Sequence, residues 1–220
     1  MQPLALSYYM ESTVSAPQKL DQLLEAMKKG AELFEVPIAN HCIVPGDANR
    51  LKLFFVSRHR KKAVPRVFQD PGDFICLLGD PGGTIRGSAY AEALGYQSAF
   101  SPPGVMRGTI AAMINVLEEC ERKEILSSVN AIQRGGLFAA LHRACGQSLG
   151  ASVYSERKSP EQVFIFGEPQ AALLVSIKEK NLIDLARITS NYNLTSTTIG
   201  RVREAGEINI NKVLHYRTGR

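Results

Sequence analysis

Two glycine-led segments constrain the fold of this 220-residue chain more than any other feature. The first reads LLGDPGG at 77–83 and continues as RGSAYA at 86–91, and the second reads IQRGGLFAAL at 132–141. In each segment, an apolar run is followed by glycines and then by a helical pattern, an order that predicts a strand, a tight turn and a helix. The first N–H groups of such a helix have no partner within the helix, so an anion can bind there.

Each segment leaves two interpretations open. Gly135 and Gly136 permit positive φ and close approach of a phosphate, to which Arg134 could add a charge-assisted bond; the alternative is a tight turn without a ligand. In the first segment, Ser88 can cap the helix and Arg86 lies at its positive end, so the choice is between a phosphate site and a capped helix after a loop. Neither segment has the spacing of a Walker P-loop or a Rossmann fingerprint.

Two other polar positions stand out against their surroundings. Glu168, in FGEPQ at 166–170, precedes an apolar run and could bind a ribose hydroxyl, a metal or an amine, or could be a solvated turn residue. Asn40 and His41 lie inside an apolar run, where they form either a satisfied core pair or part of a site. No serine–histidine–acid or cysteine–histidine order indicates nucleophilic catalysis.

Composition narrows the class of protein. Hydrophobic residues make up 45% and charged residues 21%, as in ordinary globular proteins. No apolar run approaches the ~20 residues of a membrane span, and the N-terminus lacks the pattern of a secretory signal. The cysteines lack the C-x-x-C spacing of a zinc site and lie in apolar segments, so we expect no metal, buried free thiols and a cytoplasmic location. These cysteines are Cys42, Cys76, Cys120 and Cys145.

The net charge of +5 is partly concentrated in the basic run RHRKK at 58–62. Such a run favours a solvated loop, with an anionic partner as the alternative. We do not expect a nucleic-acid partner, because no aromatic residues are interleaved as stacking platforms.

Hydrophobic periodicity predicts an α/β domain of mixed α+β type, in which helices cover a layered mixed sheet. The strongest helix carries an apolar stripe from Met106 to Leu117 that should be buried. Another helix is expected after Pro17, with a buried apolar face that runs from Leu20 to Phe34. Further helices are expected after Arg86, Gly135 and Pro160 and at 181–189. Strands are expected at 4–9, 36–44, 51–56, 74–78, 125–132, 149–154, 171–177, 195–203 and 208–215, the last two forming a hairpin turned at Ala205-Gly206.

The order of LLG…GSAYAEALG, GGLFAAL and FGEPQAALLVSI resembles the C-terminal domain of the aminoimidazole ribonucleotide (AIR) synthetase superfamily, and within it formylglycinamide ribonucleotide amidotransferase (FGAM synthase). The family's L-G-G-S corresponds to IRGS at 85–88, its F-x-E-S to FGEP at 166–169, and its D-x-S-D-G-G-L or D-x-G-A-G-G-L to AIQRGGL at 131–137. The family's P-x-x-G-N-x-S retains Asn40 but loses its glycine and serine, and Ala131 replaces an acid.

The resemblance implies two domains: a strand–helix–strand remnant of an ATP-binding domain at 1–50, and an AIR synthetase C-terminal-like domain at 51–220. It also implies a diverged or partial FGAM synthase-like protein of purine biosynthesis, an ATP-dependent ligase family that converts an amide to an amidine. The alternative is a non-catalytic interaction or regulatory subunit. ATP and magnesium are implied by the family alone.

The family's N-terminal portion, which contributes most nucleotide, magnesium and substrate contacts, is not matched. We therefore expect the isolated chain to be inactive, and we expect a homodimer or a hetero-complex with an ATP-domain chain. A phosphorylated ribonucleotide is the implied substrate, and no catalytic residue or metal ligand is assigned. The predicted phosphate- or substrate-binding residues are Asn40, Arg86, Gly87, Ser88, Arg134, Gly135, Gly136 and Glu168.

Overall fold

The computed structural model describes residues 2–13, 17–58, 63–80, 84–96, 106–154, 160–204 and 206–218. The chain divides into two compact units, Met1–Ala63 and Val64–Arg220. None of the described helices is long and apolar enough to cross a bilayer.

The first unit is a three-stranded sheet with one helix. Its elements are β1 (Gln2–Ser12), α1 (Pro17–Leu33), β2 (Ile38–Pro45) and β3 (Arg50–Arg58). β1 is the central strand, parallel to β2 and antiparallel to β3. Pro17 begins α1, as predicted, since its fixed φ and missing N–H suit a first turn. β3 pairs along its length with β1 and therefore belongs to the first unit. The assignment of residues 1–50 to a remnant of an ATP-binding domain remains a prediction.

The burial predicted for the first unit is wrong in two places. The strand expected at 36–44 exists, but the side chains of residues 39–42 are exposed, including Asn40 and Cys42. Phe34, expected on the buried face of α1, is 46% exposed. The reason is that one helix covers too little of the sheet: the hydrophobic cluster here consists of Leu6, Ala31 and Val36, with Ile38 packed against it.

The second unit contains a seven-stranded sheet. Its strands are β4 (Phe74–Gly79), β5 (Leu126–Ala131), β6 (Gly150–Val153), β7 (Ala172–Ile177), β8 (Ser196–Arg203), β9 (Glu207–Ile210) and β10 (Leu214–Arg217). They lie in the order β10-β9-β6-β8-β4-β7-β5, with β6 and β9 parallel and the other neighbours antiparallel. Its helices are α2 (Ala89–Ala93), α3 (Arg107–Lys123), α4 (Gly136–Cys145), α5 (Glu161–Phe166) and α6 (Leu182–Asn191), with a 3-10 turn at Glu179–Asn181.

Helices cover both faces of this sheet. Side chains alternate along β4, so Ile75 and Leu77 join a core with α4 and α5, while Cys76 and Leu78 join a second core with α3 and α6. The predicted mixed α/β fold with helices covering the sheet is therefore confirmed. The buried side chains of α3 are Met113, Val116 and Cys120. In the predicted stripe, Ile110 and Leu117 are half-buried, whereas Met106 is 52% exposed because it precedes the helix.

The predicted C-terminal hairpin is wrong. β8 and β9 are not neighbours, because β6 lies between them, antiparallel to β8 and parallel to β9. The side chains of Ala151 and Val153 on β6 are buried, so this strand gains more from an interior position than from an edge. Gly200 permits the close pairing, since a Cβ there would lie 2.0 Å from the carbonyl oxygen of Ser152. Ala205, placed in the predicted turn, lies outside the described residues.

Candidate functional site

Glu168 is the residue that joins the two glycine-led segments. It follows α5, and its backbone forms an isolated antiparallel bridge with Thr84, in which the N–H of Glu168 donates to the Thr84 carbonyl at 3.3 Å. This bridge brings the carboxylate to the point where α2 and α4 begin. The junction is thus built from three chain segments that lie far apart in the sequence.

The Glu168 carboxylate occupies the N-termini of both helices. Its Oε1 accepts hydrogen bonds from the backbone N–H groups of Ala89 and Gly135, each at 2.8 Å. Ala89 is the first residue of α2 and Gly135 is the N-cap of α4. A negative charge at the positive ends of two helices is favourable. The anion that the glycine segments predict is therefore a side chain of the chain itself.

The start of α2 is a capped helix. Ser88 is 1% exposed, its Oγ accepts from the N–H of Ala91 at 3.2 Å, and the same hydroxyl donates to the carbonyl of Ile85 at 2.6 Å. The N–H of Ser88 donates to that carbonyl at 3.2 Å. The expectation that Ser88 offers a free N–H is therefore wrong. Gly87, just before it, has φ +72, which L-residues rarely adopt.

The start of α4 needs its glycines for packing. Gly135 and Gly136 have φ +87 and +67. A Cβ on Gly136 would lie 2.7 Å from the Cα of Phe166, because α4 crosses α5 here at close range. The Gly136 N–H donates to the carbonyl of Gln133 at 2.8 Å. The prediction of free N–H groups at Gly135 and Gly136 is thus also wrong, and the tight turn accounts for both glycines.

The two arginines differ in their surroundings. Arg134 forms an ion pair with Glu92 of α2, with Nη2 and Oε2 2.5 Å apart and both side chains largely exposed. Its hydrogen bond to Glu92 raises the pKa of Arg134 above its usual value. Arg86 is exposed, and its backbone N–H donates to the Oγ1 of Thr84 at 3.0 Å. The structure therefore brings together all the predicted site residues of the second unit.

Asn40 lies in the other compact unit, on β2. Its side chain is exposed, and its Oδ1 accepts from the N–H of the next residue, His41, at 2.8 Å. The His41 ring stacks on Tyr8 with centroids 5.3 Å apart. The assignment of Asn40 to the binding site remains a prediction that rests on the resemblance.

Sequence reasoning missed the aromatic residues of the junction. Tyr90 of α2 stacks on Phe166 of α5 with centroids 4.6 Å apart and planes 9° apart, and Phe138 of α4 meets Phe166 edge-on at 6.1 Å. The position of each within a few residues of Ser88, Gly136 or Glu168 was the available signal. Their contacts hold α2, α4 and α5 together around the carboxylate.

The site contains arginine side chains and one internal carboxylate, which suits an anionic ligand better than a metal. Within the described part of the chain, no three histidine, cysteine or acidic side chains are grouped to hold a metal ion. One oxygen of Glu168 is already bonded to two N–H groups. The donor set of this junction therefore does not fit a magnesium ion.

A layered domain with a mixed sheet and two glycine-turn helix starts is the architecture expected for AIR synthetases. Residues 70–212 match the family model "AIR synthase related protein, C-terminal domain". The chain belongs to this family, and the resemblance found in its sequence is confirmed.

Similar proteins point to one branch of the family. The chain is 30% identical over 156 residues to the phosphoribosylformylglycinamidine synthase subunit PurL of Cutibacterium acnes, covering 70% of this chain and 20% of that protein. The PurL subunit of a Sulfurovum species is 26% identical over 155 residues, covering 70% and 20%. The chain spans about a fifth of the length of these curated relatives.

Solved structures show the same fold. Thermotoga maritima PurL complexed with ATP has a TM-score of 0.74 and 14% identity, covering 98% of this chain and 37% of that one. A chain of the HypE–HypF complex has a TM-score of 0.65 and 17% identity, covering 100% and 78%. At these identities the likeness concerns the fold.

Proposed function

We propose that this chain acts in purine biosynthesis as a diverged or partial FGAM synthase-like protein located in the cytoplasm. The observation that carries the proposal is the junction around Glu168, where three family motifs meet in one place. The similarity of the chain to PurL subunits over 156 and 155 residues supports the choice of branch. In this role the chain contributes to an ATP-dependent conversion of a formylglycinamide ribonucleotide amide to an amidine.

The ATP site in this proposal is built with another polypeptide. Thermotoga maritima PurL was solved with ATP, which supports the nucleotide for the family. The described residues of the junction do not form a donor set that suits magnesium, so no step of the reaction is assigned to them. A hetero-complex with an ATP-domain chain, or a homodimer, then completes the enzyme.

The substrate phosphate, in this proposal, approaches the exposed side of the junction. Arg86 and Arg134 both lie there with exposed side chains, and Arg134 can exchange its surface ion pair with Glu92 for a phosphate at little cost. Glu168 and the glycines then act by holding the helix starts in place rather than by direct contact. Asn40 is proposed as a polar substrate contact on the resemblance alone.

A non-catalytic interaction subunit is the second candidate. Two observations favour it. The N–H groups of Ser88, Gly135 and Gly136 donate to acceptors within the chain, with Glu168 as the acceptor for Gly135. In addition, Ala131 stands where the family has an acid. In this role the fold would serve as a platform for a partner.

A chimera distinguishes the two candidates. This chain would replace the matching segment of the Cutibacterium acnes PurL subunit, in a bacterium that lacks its own FGAM synthase. Growth without added purines is expected if the chain retains the enzymatic role. Glu168→Ala should then slow growth by loosening the junction. Ile183→Ser is the control, because Ile183 on α6 is 82% exposed.

One result would contradict the enzymatic role: a chimera that accumulates to the level of the parent subunit but supports no growth without added purines. The chain would then be better explained as a non-catalytic interaction subunit. Purified alone, this chain should show no ATP turnover. Magnesium-dependent hydrolysis by the isolated chain would contradict the need for a second polypeptide.

A further inference from the structure

The strand β3 carries an unusual exposed apolar surface. Five side chains in a row of six are large and apolar, and each is about half exposed, between 47% and 57%. We call them the β3 surface: Leu51, Leu53, Phe54, Phe55 and Val56. Clustered exposure of this kind marks an interaction site, whereas scattered exposed apolar residues do not.

Both faces of β3 are uncovered. Leu53 pairs in register with Tyr8 and therefore points to the same face as that buried ring, yet it is 56% exposed. Phe54 pairs with Ser7, points to the opposite face and is 57% exposed. A partner that merely packed on one face would leave half of the β3 surface in water.

The backbone edge of β3 is also available. Among the strands that the structure describes, β3 has a neighbour on one side, β1, and is an edge of its sheet. It is 9 residues long, and the register shift in its pairing with β1 lies near one end, between Pro3 and Ala5. Natural proteins protect long apolar edges, because unpaired N–H and C=O groups attract further strands. Strand addition would pair this edge and cover both faces near it.

The charges on β3 select the kind of strand that fits. The strand carries Arg50, Lys52 and Arg58 and no acid, and Arg50 is 3.1 Å from Glu11 of the neighbouring β1. A second copy of β3 would offer these cations no acid in any register, and one pairing antiparallel about Phe54 would also place Arg50 opposite Arg58 of that copy. Like charges directly opposite are destabilising, whereas opposite charges stabilise the pair. A strand with acids at its ends is therefore favoured over a second copy of β3.

We propose that β3 is the docking edge for an apolar β-strand with acidic ends, supplied by a different polypeptide. The proposal deepens the proposed function and rests on it in one respect, since that function requires a second polypeptide. Of the two expected assemblies, a homodimer and a hetero-complex, it selects the hetero-complex and places the interface on the first unit. The partner strand lies along β3, its apolar side chains cover the β3 surface, and its acids meet the cations of β3.

A pair of matched peptides tests this directly. The first is a fluorescein-labelled nine-residue peptide with five central residues of alternating valine and isoleucine, so that both faces are apolar, and two glutamates at each end. The second has lysines in place of the glutamates. Fluorescence anisotropy with the full chain should show binding of the glutamate peptide at least tenfold tighter than of the lysine peptide. Higher salt should narrow this difference, because exposed charges are screened.

Three variants make the test specific. Lys52→Glu combined with Arg58→Glu should reverse the preference, so that the lysine peptide binds more tightly. Phe54→Ser should weaken binding of the glutamate peptide about ten- to hundredfold, the range expected for uncovering one aromatic side chain. Ile183→Ser removes an exposed apolar side chain from the second unit and should leave the binding of both peptides unchanged. Circular dichroism identifies any variant that fails to fold.

Two outcomes would overturn the proposal. One is equal binding, or no binding, of the two peptides by folded wild-type chain. The other is a dimer of the chain alone by light scattering that Phe54→Ser dissociates, which would make a second copy the occupant. Neither outcome depends on growth of the chimera, so this proposal and the proposed function can fail separately.

Discussion

Removing the Glu168 carboxylate should loosen the starts of two helices at once. In Glu168→Ala, the N–H groups of Ala89 and Gly135 lose an acceptor that now lies 2.8 Å from each. Glu168 is half-buried, so water can replace the carboxylate in part. Both helix N-termini also lose the negative charge that compensates their dipoles.

The size of the effect follows from these two bonds. A hydrogen bond to a charged group contributes about 1.5–3 kcal/mol, and one oxygen shared by two donors contributes less than twice that amount. We take ~3 kcal/mol for Glu168→Ala, and ~1 kcal/mol for Glu168→Gln, which keeps an acceptor oxygen but loses the charge. Each ~1.4 kcal/mol corresponds to a factor of ten. Local opening at the two helix starts should therefore become about 100-fold more frequent in Glu168→Ala and about fivefold more frequent in Glu168→Gln.

Native-state hydrogen exchange measures this opening at the individual amides. Exchange at Ala89 and Gly135 should accelerate by these factors, while amides in α6, whose buried side chains belong to the other core of the unit, should change less. Glu118→Ala, which removes an exposed glutamate from α3, is the control and should leave both amides unchanged. Unchanged protection of both amides in Glu168→Ala would refute the role assigned to the carboxylate.

Three further outcomes are expected. Gly136→Ala should lower the melting temperature, at a cost of about 1–3 kcal/mol, because φ is +67 there and the new methyl group would lie 2.7 Å from backbone atoms. The control is Gly108→Ala on α3, where nothing lies within 4 Å of the new methyl group, and it should leave the melting temperature equal or slightly higher. Arg134→Ala should not shift the urea midpoint without ligand, since its ion pair is exposed, and a large shift would show a structural role. Burial raises the pKa of Cys145 to about 12, so at pH 8 its thiolate is scarce and DTNB should label the exposed Cys42 first; a fast phase that persists in Cys42→Ser would contradict this.

Elements whose signal is local could be predicted from the sequence. The apolar run at 74–78 is a strand with buried side chains, and Ser88 caps α2 through its own hydroxyl. Such features depend on a few neighbouring residues, through φ preferences, capping and periodicity. The same local signal placed the glycine turns before α2 and α4.

Pairings between distant segments could not be predicted in this way. The sequence pattern of 195–215 favours a hairpin, but β6 takes the position between β8 and β9. The strand at 36–44 has the composition of a buried strand and is nonetheless exposed, because burial depends on what covers a strand. Neither fact is encoded in the residues of the segment itself.

The family, the positions of the two glycine turns and the polar residues of the junction could be predicted from the order of amino acids. What those residues do at the junction depends on the packing of distant segments. Glu168 lies 79 residues from Ala89 and 33 residues from Gly135, and its bonds to both form because the sheet brings the ends of three segments to one point. A turn motif specifies backbone geometry and leaves an N–H group pointing outward, but which anion reaches that group depends on the packing of the whole domain.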